Sequence, residues 1–173
     1  MSTDEILLQV DSNANPIGEV ARKVAHGHPE FIHVHTGCLI YNANDELLFQ
    51  QRTITKERHP SLWTPGAGGH VSAGMTPEQC IHQELLEELG FDTTLIFIEK
   101  YFSQNQDEAR FVYIYLGKYH DEAIVIDPLE VEQVKFFNYQ HFLKMKSQIT
   151  PAGVEYAEKF WQGELDQWKR DCK

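Results

Sequence analysis

Three glutamates in the middle of the sequence have the spacing of residues on one helical face. Glu84, Glu87 and Glu88 stand at i, i+3 and i+4, and the segment 77–90 contains no Lys or Arg. Like charges at this spacing repel by about 0.2–0.5 kcal/mol per pair. Clustered carboxylates are ligands for a hard divalent cation such as Mg²⁺, which also binds substrate phosphates. The spacing alone leaves two interpretations open, a cation site and a solvated acidic helix face.

These glutamates lie in a predicted helix that has sequence signals at both ends. Thr76 is the expected N-cap, Pro77 takes the first helical position, and Gln79 completes a capping box. Gly90 supplies the left-handed residue that ends the helix. The residues 68–74, which are rich in glycine, are predicted to form a loop before it. The pattern therefore predicts a loop followed by a helix that presents carboxylates.

The segment from Gly69 to Phe91 resembles the Nudix box, whose pattern is G-x5-E-x7-R-E-U-x-E-E-x-G-U with U an aliphatic or aromatic residue. Seven of its nine defined positions match, at Gly69, Glu84, Leu85, Glu87, Glu88, Gly90 and Phe91. The resemblance implies an α/β/α sandwich with a mixed β-sheet. It also implies a hydrolase in which Glu84, Glu87 and Glu88 bind Mg²⁺, with Mn²⁺ as the alternative, and cleave a diphosphate linked to another moiety.

Two positions depart from the box. Met75 stands where the family has its first glutamate, and Gln83 stands where it has arginine. In the family, the arginine orients a metal-binding glutamate, and the first glutamate supports the loop–helix geometry. These departures motivate a different hypothesis, a catalytically weak sensor that binds a diphosphate without turnover.

The resemblance extends over residues 9–137. In this range the chain is similar to one branch of the family, the type 1 isopentenyl-diphosphate isomerases and related hydrolases. In the isomerases, the positions matching His26, His33 and His70 hold a transition metal together with two later carboxylates, here at Gln106 and Glu108. Imidazole ligands suit Mn²⁺ or Zn²⁺. The resemblance thus implies a second metal site, and the alternative is three hydrogen-bonded histidines without metal.

The same resemblance assigns substrate contacts. Arg52 and Lys56 match positions that contact the pyrophosphate, and the alternative is two ordinary exposed cations at a strand end. Gly69 allows the backbone to approach a ligand or the helix closely. The catalytic base is left open between Glu108 and a helix glutamate. Isomerisation also requires a cysteine directly before the Gly-His pair, where Gly68 stands, so isomerase activity is an alternative to the leading hydrolase hypothesis.

Length, composition and charge limit the domain number, the partners and the cellular compartment that can be expected. The 173 residues are 42% hydrophobic, which predicts a single domain over residues 1–173. A net charge of −11 excludes a nucleic-acid polymer as partner and leaves a small diphosphate. The sequence shows no signal peptide or membrane span, and three widely spaced cysteines favour a reducing cytoplasm. Dimers are the commonest closed assembly, so a homodimer stays open.

Residue propensities predict the elements around the central helix. A turn is expected at 11–18, a polar loop at 53–62 and helical turns at 20–26 and 139–145, and a last helix is capped by Thr150 with Pro151 at its first turn. The expected strands cover residues 6–10, 31–41, 46–52, 94–102, 110–118 and 131–137. Strands mixed with helices in this order predict an α/β fold with helices on both faces of the sheet.

Overall fold

The computed structural model describes residues 5–172, in which nine strands form one mixed sheet. The strands are β1 (Ile6–Val10), β2 (Pro16–Ala21), β3 (His33–Tyr41), β4 (Leu47–Arg52), β5 (Trp63–Pro65), β6 (Gly68–His70), β7 (Leu95–Gln104), β8 (Ala109–Lys118) and β9 (Val131–Phe137). The helices are α1 (Arg22–Ala25), α2 (Pro77–Leu89), α3 (Tyr139–Met145), α4 (Pro151–Trp161) and α5 (Asp166–Lys169). None of the helices between residues 5 and 172 is both long and apolar enough to cross a bilayer.

Strand β3 organises the centre of the sheet. It runs parallel to β8 and antiparallel to β1, β4 and β6. The parallel register pairs His33 with Arg110, and the antiparallel register pairs His35 with His70. Histidines from two strands therefore meet at the same end of β3.

The two faces of the sheet bury different helices. On one face, Leu85 and Leu89 of α2 pack with Ile40 of β3, and all three are fully buried. On the other face, Phe160 of α4 packs with Leu39 of β3. Each buried side chain of this size contributes about 1.5–3 kcal/mol. Neighbouring residues of β3 thus point to opposite cores, which confirms the expected α/β sandwich with helices on both faces.

Helix α2 begins and ends where the sequence predicts. The Thr76 hydroxyl accepts a hydrogen bond from the Gln79 N–H at 3.1 Å, and the Gln79 side chain accepts one from the Thr76 N–H at 2.9 Å. Gly90 has a φ of 75°, and a Cβ there would lie 2.8 Å from Val125. The reciprocal cap and the left-handed glycine hold the helix that carries the three glutamates.

Three local predictions are corrected by the structure. The turn predicted over 11–18 ends earlier, because the Asp11 carboxylate accepts the N–H groups of Asn13 and Asn15 and β2 then begins at Pro16. Within residues 5–172, strand β2 pairs with β1 alone, and an edge strand tolerates proline. The helix expected over 20–26 is limited to α1, and the first three residues of the loop expected over 68–74 form β6, which pairs with β3.

Candidate active site

Strand β6 lies between two groups of candidate ligands. The Gly68 N–H is 3.3 Å from Glu88 Oε2, and a Cβ on Gly69 would collide with the Glu84 carboxylate. His70 Nε2 lies 2.9 Å from His26 Nε2. Three consecutive residues therefore connect the glutamate group, defined as Glu84, Glu87 and Glu88, with the histidine cluster, defined as His26, His33, His70 and Glu108.

The glutamate group combines burial with crowding of negative charge. Glu88 is 5% exposed and accepts a hydrogen bond from Gln50 Nε2 at 2.7 Å, and burial raises its pKa. Burial, followed by the charges of Glu88 and Glu87, raises the pKa of Glu84 to about 8. Glu87 is exposed and accepts from Gln83 Nε2 at 2.6 Å. Without a cation, Glu84 is largely protonated at neutral pH, so the group fits a divalent cation that would stabilise all three anions.

The histidine cluster brings four donors from distant parts of the chain together. One ligand atom of each residue lies within 4.8 Å of the others. Within residues 5–172, both ring nitrogens of His33 and Glu108 Oε2 are buried and have no hydrogen-bond partner. Each buried polar atom without a partner lowers the free energy of unfolding by about 1–3 kcal/mol. Three imidazoles and a carboxylate form a common donor set for a transition metal, so the four residues fit a cation that would satisfy these atoms.

The histidines are neutral in this environment. Burial is the main cause that lowers the pKa of His26 and His70, and it lowers the pKa of His33 to about 4. The Glu108 carboxylate acts in the opposite direction on His26 and His33 but does not offset burial. Neutral imidazole nitrogens have lone pairs available for a metal.

Glu108 is shared between the histidines and two arginines. Its Oε1 accepts a hydrogen bond from Arg58 Nη1 and forms an ion pair with Arg110 Nη1 at 2.9 Å. Its Oε2 lies 3.5 Å from His26 Nε2 and 3.9 Å from His33 Nε2. Gln106, the other position implied by the resemblance, is exposed in the preceding turn. Of that pair of positions, only Glu108 reaches the cluster.

A cavity of about 350 Å³ is lined by His70 of the histidine cluster and by Gln50 and Gly68, which both contact Glu88. Glu84, Glu87 and Glu88 themselves are not among its lining residues. Four of the five arginines in the sequence line it, together with Lys56. Burial lowers the pKa of Arg52 and Lys56, and Lys56 forms an ion pair with Glu130. Their positions favour the anion-contact interpretation over that of ordinary exposed cations. The apolar part of the wall includes Leu39, Val112, Ile114, Tyr101 and Tyr156.

Sequence reasoning missed several residues at this site. Arg110 follows Glu108 by two positions, the spacing of a shared strand face, which is a usable signal. Gln50 is a polar residue in a buried strand run, and this too indicates a specific partner. His35, which was not assigned to a site, lines the cavity and lies 5.2 Å from the His70 ring. Arg58 lies in an irregular loop where no periodicity marks it.

The mixed sheet with helices on both faces defines an α/β fold. Helix α2, which carries the three glutamates, follows strand β6, and the cavity beside that strand is lined by Arg and Lys side chains. Together they form a candidate site for phosphate and metal. The family model described as the NUDIX domain matches residues 31–159. The chain belongs to the NUDIX family.

Relatives and solved structures agree with this assignment. The chain is 27% identical over 179 residues to isopentenyl-diphosphate Delta-isomerase 2 of Photorhabdus laumondii, covering 96% of this chain and 98% of that protein. It is 30% identical to the Citrobacter koseri isomerase but spans about half of it, 51%.

A Deinococcus radiodurans crystal structure matches with a TM-score of 0.75 and 16% identity over 91% of this chain and 99% of that one. The NUDIX domain of Shewanella oneidensis NrtR, solved with ADP ribose, matches with a TM-score of 0.63 and 16% identity over 76% and 87%. At these identities the likeness to solved structures establishes the fold.

Proposed function

We propose that this protein is a divalent-cation-dependent hydrolase that cleaves a small diphosphate linked to another moiety by attack of water on phosphorus. The observation that carries the proposal is the glutamate group packed under β6 beside a cavity lined by Arg52 and Lys56. The structural neighbour solved with ADP ribose supports a small diphosphate as the substrate class.

Glu84, Glu87 and Glu88 would hold Mg²⁺, with Mn²⁺ as the alternative. When bound, such a cation neutralises charge that develops on the phosphate and lowers the pKa of a bound water. Arg52 and Lys56 then bind the diphosphate oxygens as fixed positive charges. The close approach of Gly69 to Glu84 holds that carboxylate against strand β6, whose residues Gly68 and His70 line the cavity.

Of the two kinds of candidate base, a helix glutamate suits the role better than Glu108. Glu108 Oε1 is already occupied by two guanidinium groups, and the residue is 2% exposed. We therefore assign proton acceptance to a glutamate of helix α2 and metal binding, through Oε2, to Glu108.

Isomerisation of isopentenyl diphosphate is the second candidate. It is favoured by the named relative that matches over nearly its whole length and by the assembly of His26, His33 and His70 with Glu108. It lacks the thiol, because Gly68 stands at that position and a Cβ there would lie 2.6 Å from Thr36 O. Cys38 lines the same cavity, but burial raises the pKa of its thiol to about 12.

The weak-sensor hypothesis has less support than either enzyme. Gln83 still donates a hydrogen bond to Glu87, as the family arginine would, and Met75 packs against an apolar cluster that includes Val71 and Cys80. The loop–helix geometry is thus retained by other contacts. A sensor would bind diphosphates tightly and release no product.

A substrate panel separates the three functions. The purified protein is incubated with nucleoside, sugar and prenyl diphosphates in Mg²⁺, in Mn²⁺ and in chelator, and the products are identified by mass. Hydrolysis predicts cation-dependent phosphate or monophosphate release. Dimethylallyl diphosphate formed from isopentenyl diphosphate without phosphate release would establish isomerisation instead, and tight binding without any product would establish a sensor.

A further inference from the structure

Arg58 and Arg110 have no role in the proposed hydrolysis, although both reach the histidine cluster. Each forms an ion pair with Glu108 Oε1, and both also line the cavity. Their side chains are 36% and 27% exposed, whereas Glu108 is 2% exposed. The two guanidinium groups therefore stand between a buried carboxylate and the space where an anion would bind.

The local charge is positive before any cation enters. Two guanidinium groups, those of Arg58 and Arg110, are paired with the single carboxylate of Glu108. A divalent cation at the cluster would therefore add two positive charges beside an existing excess, at low effective dielectric.

An anion in the cavity changes this balance. A phosphate beside Arg58 and Arg110 would neutralise part of their charge and compete with Glu108 for their N–H donors. Both effects leave Glu108 freer to bind a cation through either oxygen. If the anion raises the affinity for the cation by a given factor, the cation must raise the affinity for the anion by the same factor.

We propose that Arg58 and Arg110 couple the two ligands of this site, so that the histidine cluster binds its cation tightly only when an anion occupies the cavity. The proposal rests on the cation site assigned under the proposed function. It assigns Arg58 and Arg110 as positioning residues that act through Glu108, and it predicts that cation and polyanionic substrate bind cooperatively.

The test uses the full chain, Co²⁺ as the cation and inorganic phosphate as the anion. Visible absorption of Co²⁺ reports imidazole ligation, which separates the histidine cluster from the glutamate group. For the unmodified protein, we expect millimolar phosphate to tighten Co²⁺ binding by about fivefold or more, within the usual range of coupling. The variant carrying Arg58→Gln and Arg110→Gln should bind Co²⁺ more tightly without phosphate and show less than about a twofold effect of phosphate.

Two further variants separate charge from simple support. The variant carrying Arg58→Lys and Arg110→Lys keeps both positive charges but changes the shape of both side chains. If charge carries the coupling, this variant should retain it; if arginine packing carries it, the coupling should be lost. Arg170→Gln, at an exposed position after α5, should change neither affinity. Circular dichroism confirms that each variant is folded.

Distinct outcomes overturn distinct claims. Co²⁺ binding that phosphate does not change would overturn the coupling but leave the metal site intact. Co²⁺ binding weakened by about 10–100-fold in the glutamine variant would show that the arginines only orient Glu108, as outer-shell partners do. Absence of imidazole-ligated Co²⁺ under every condition would overturn the cation site itself, while hydrolysis dependent on the glutamate group is tested separately.

Discussion

The glutamate group and the histidine cluster adjoin the same short strand, but different forces assemble them. The three glutamates come from one helical turn, and their mutual repulsion helps to raise the pKa of Glu84 to about 8. The histidine cluster joins residues from 26 to 108, and its imidazoles are neutral because they are buried. The first group is strained by like charge without a cation, and the second is short of hydrogen-bond partners.

This difference indicates different tasks. Crowded carboxylates attract a hard cation that is exchanged with the substrate phosphates. Neutral imidazoles with a buried carboxylate favour a transition metal over Mg²⁺. Substitutions in the two groups should therefore fail in different ways, and the following predictions use that contrast.

Replacing Glu88 by Gln should have the largest effect. The change keeps the size of a side chain that is 5% exposed but removes a ligand charge. Loss of an outer-shell partner costs about 10–100-fold, so loss of the ligand itself should lower Mg²⁺-dependent product release by at least about 100-fold. Product release under saturating substrate measures this. Glu164→Gln, at an exposed position, is the control, and a loss of less than about threefold at Glu88 would remove the glutamate group from catalysis.

Replacing His33 by Leu should act on metal-dependent stability. Mn²⁺ at about 100 times its Kd should raise the free energy of unfolding of the unmodified protein by about 2.7 kcal/mol. The variant should lose the part of this gain that comes from the histidine cluster, yet be at least as stable without metal, because two unpartnered buried nitrogens are removed. Denaturant unfolding with and without Mn²⁺ measures both quantities. The exposed His120→Leu serves as the control, and an equal gain from Mn²⁺ in the His33 variant would argue against the cluster.

The pH dependence of the metal-free protein should reveal the strain at Glu84. A carboxyl group whose folded pKa is raised binds more protons when folded, so its stabilisation is present below the unfolded pKa and is lost as pH rises to about 8. His33, with a folded pKa of about 4, has the opposite sign below about pH 6.5. Between about pH 6.5 and 8, the Glu84 effect amounts to up to about 2 kcal/mol.

Glu84→Gln should therefore flatten the fall in stability over that window. Unfolding in chelator at the two pH values provides the measurement, with Glu78→Gln, an exposed position on the same helix, for comparison. Identical slopes in the unmodified protein and the Glu84 variant would show that the carboxylates do not strain one another.

Replacing Gln83 by Arg should have the smallest effect. The Gln83 amide already donates to Glu87 at 2.6 Å, so arginine adds charge to an existing contact. Both residues are exposed and stand at i, i+4, where an ion pair contributes about 0.3–0.5 kcal/mol, so turnover should rise by no more than a few fold. Steady-state kinetics measures this, with Gln83→Lys as the control for charge without the planar fork. A rise of several hundredfold would instead identify Gln83 as the residue that silences the enzyme.

The contrast between the two groups also explains what the sequence could predict. Helix α2 was placed correctly because Thr76, Gln79 and Gly90 act within a few residues of one another. The strand β6 was predicted as loop because its pairing partner, β3, lies more than thirty residues away. The histidine cluster was found only through family resemblance, since its geometry depends on tertiary packing. Arg58 was missed because its contact with Glu108 spans fifty residues and leaves no periodic pattern.

Anomalous scattering from crystals grown with millimolar Mn²⁺ and inorganic pyrophosphate tests the central claim most directly. The account predicts one peak among the carboxylates of Glu84, Glu87 and Glu88, a second in the histidine cluster, and phosphate density facing Arg52 and Lys56. Pyrophosphate bound in the cavity with no peak at the glutamates would contradict it.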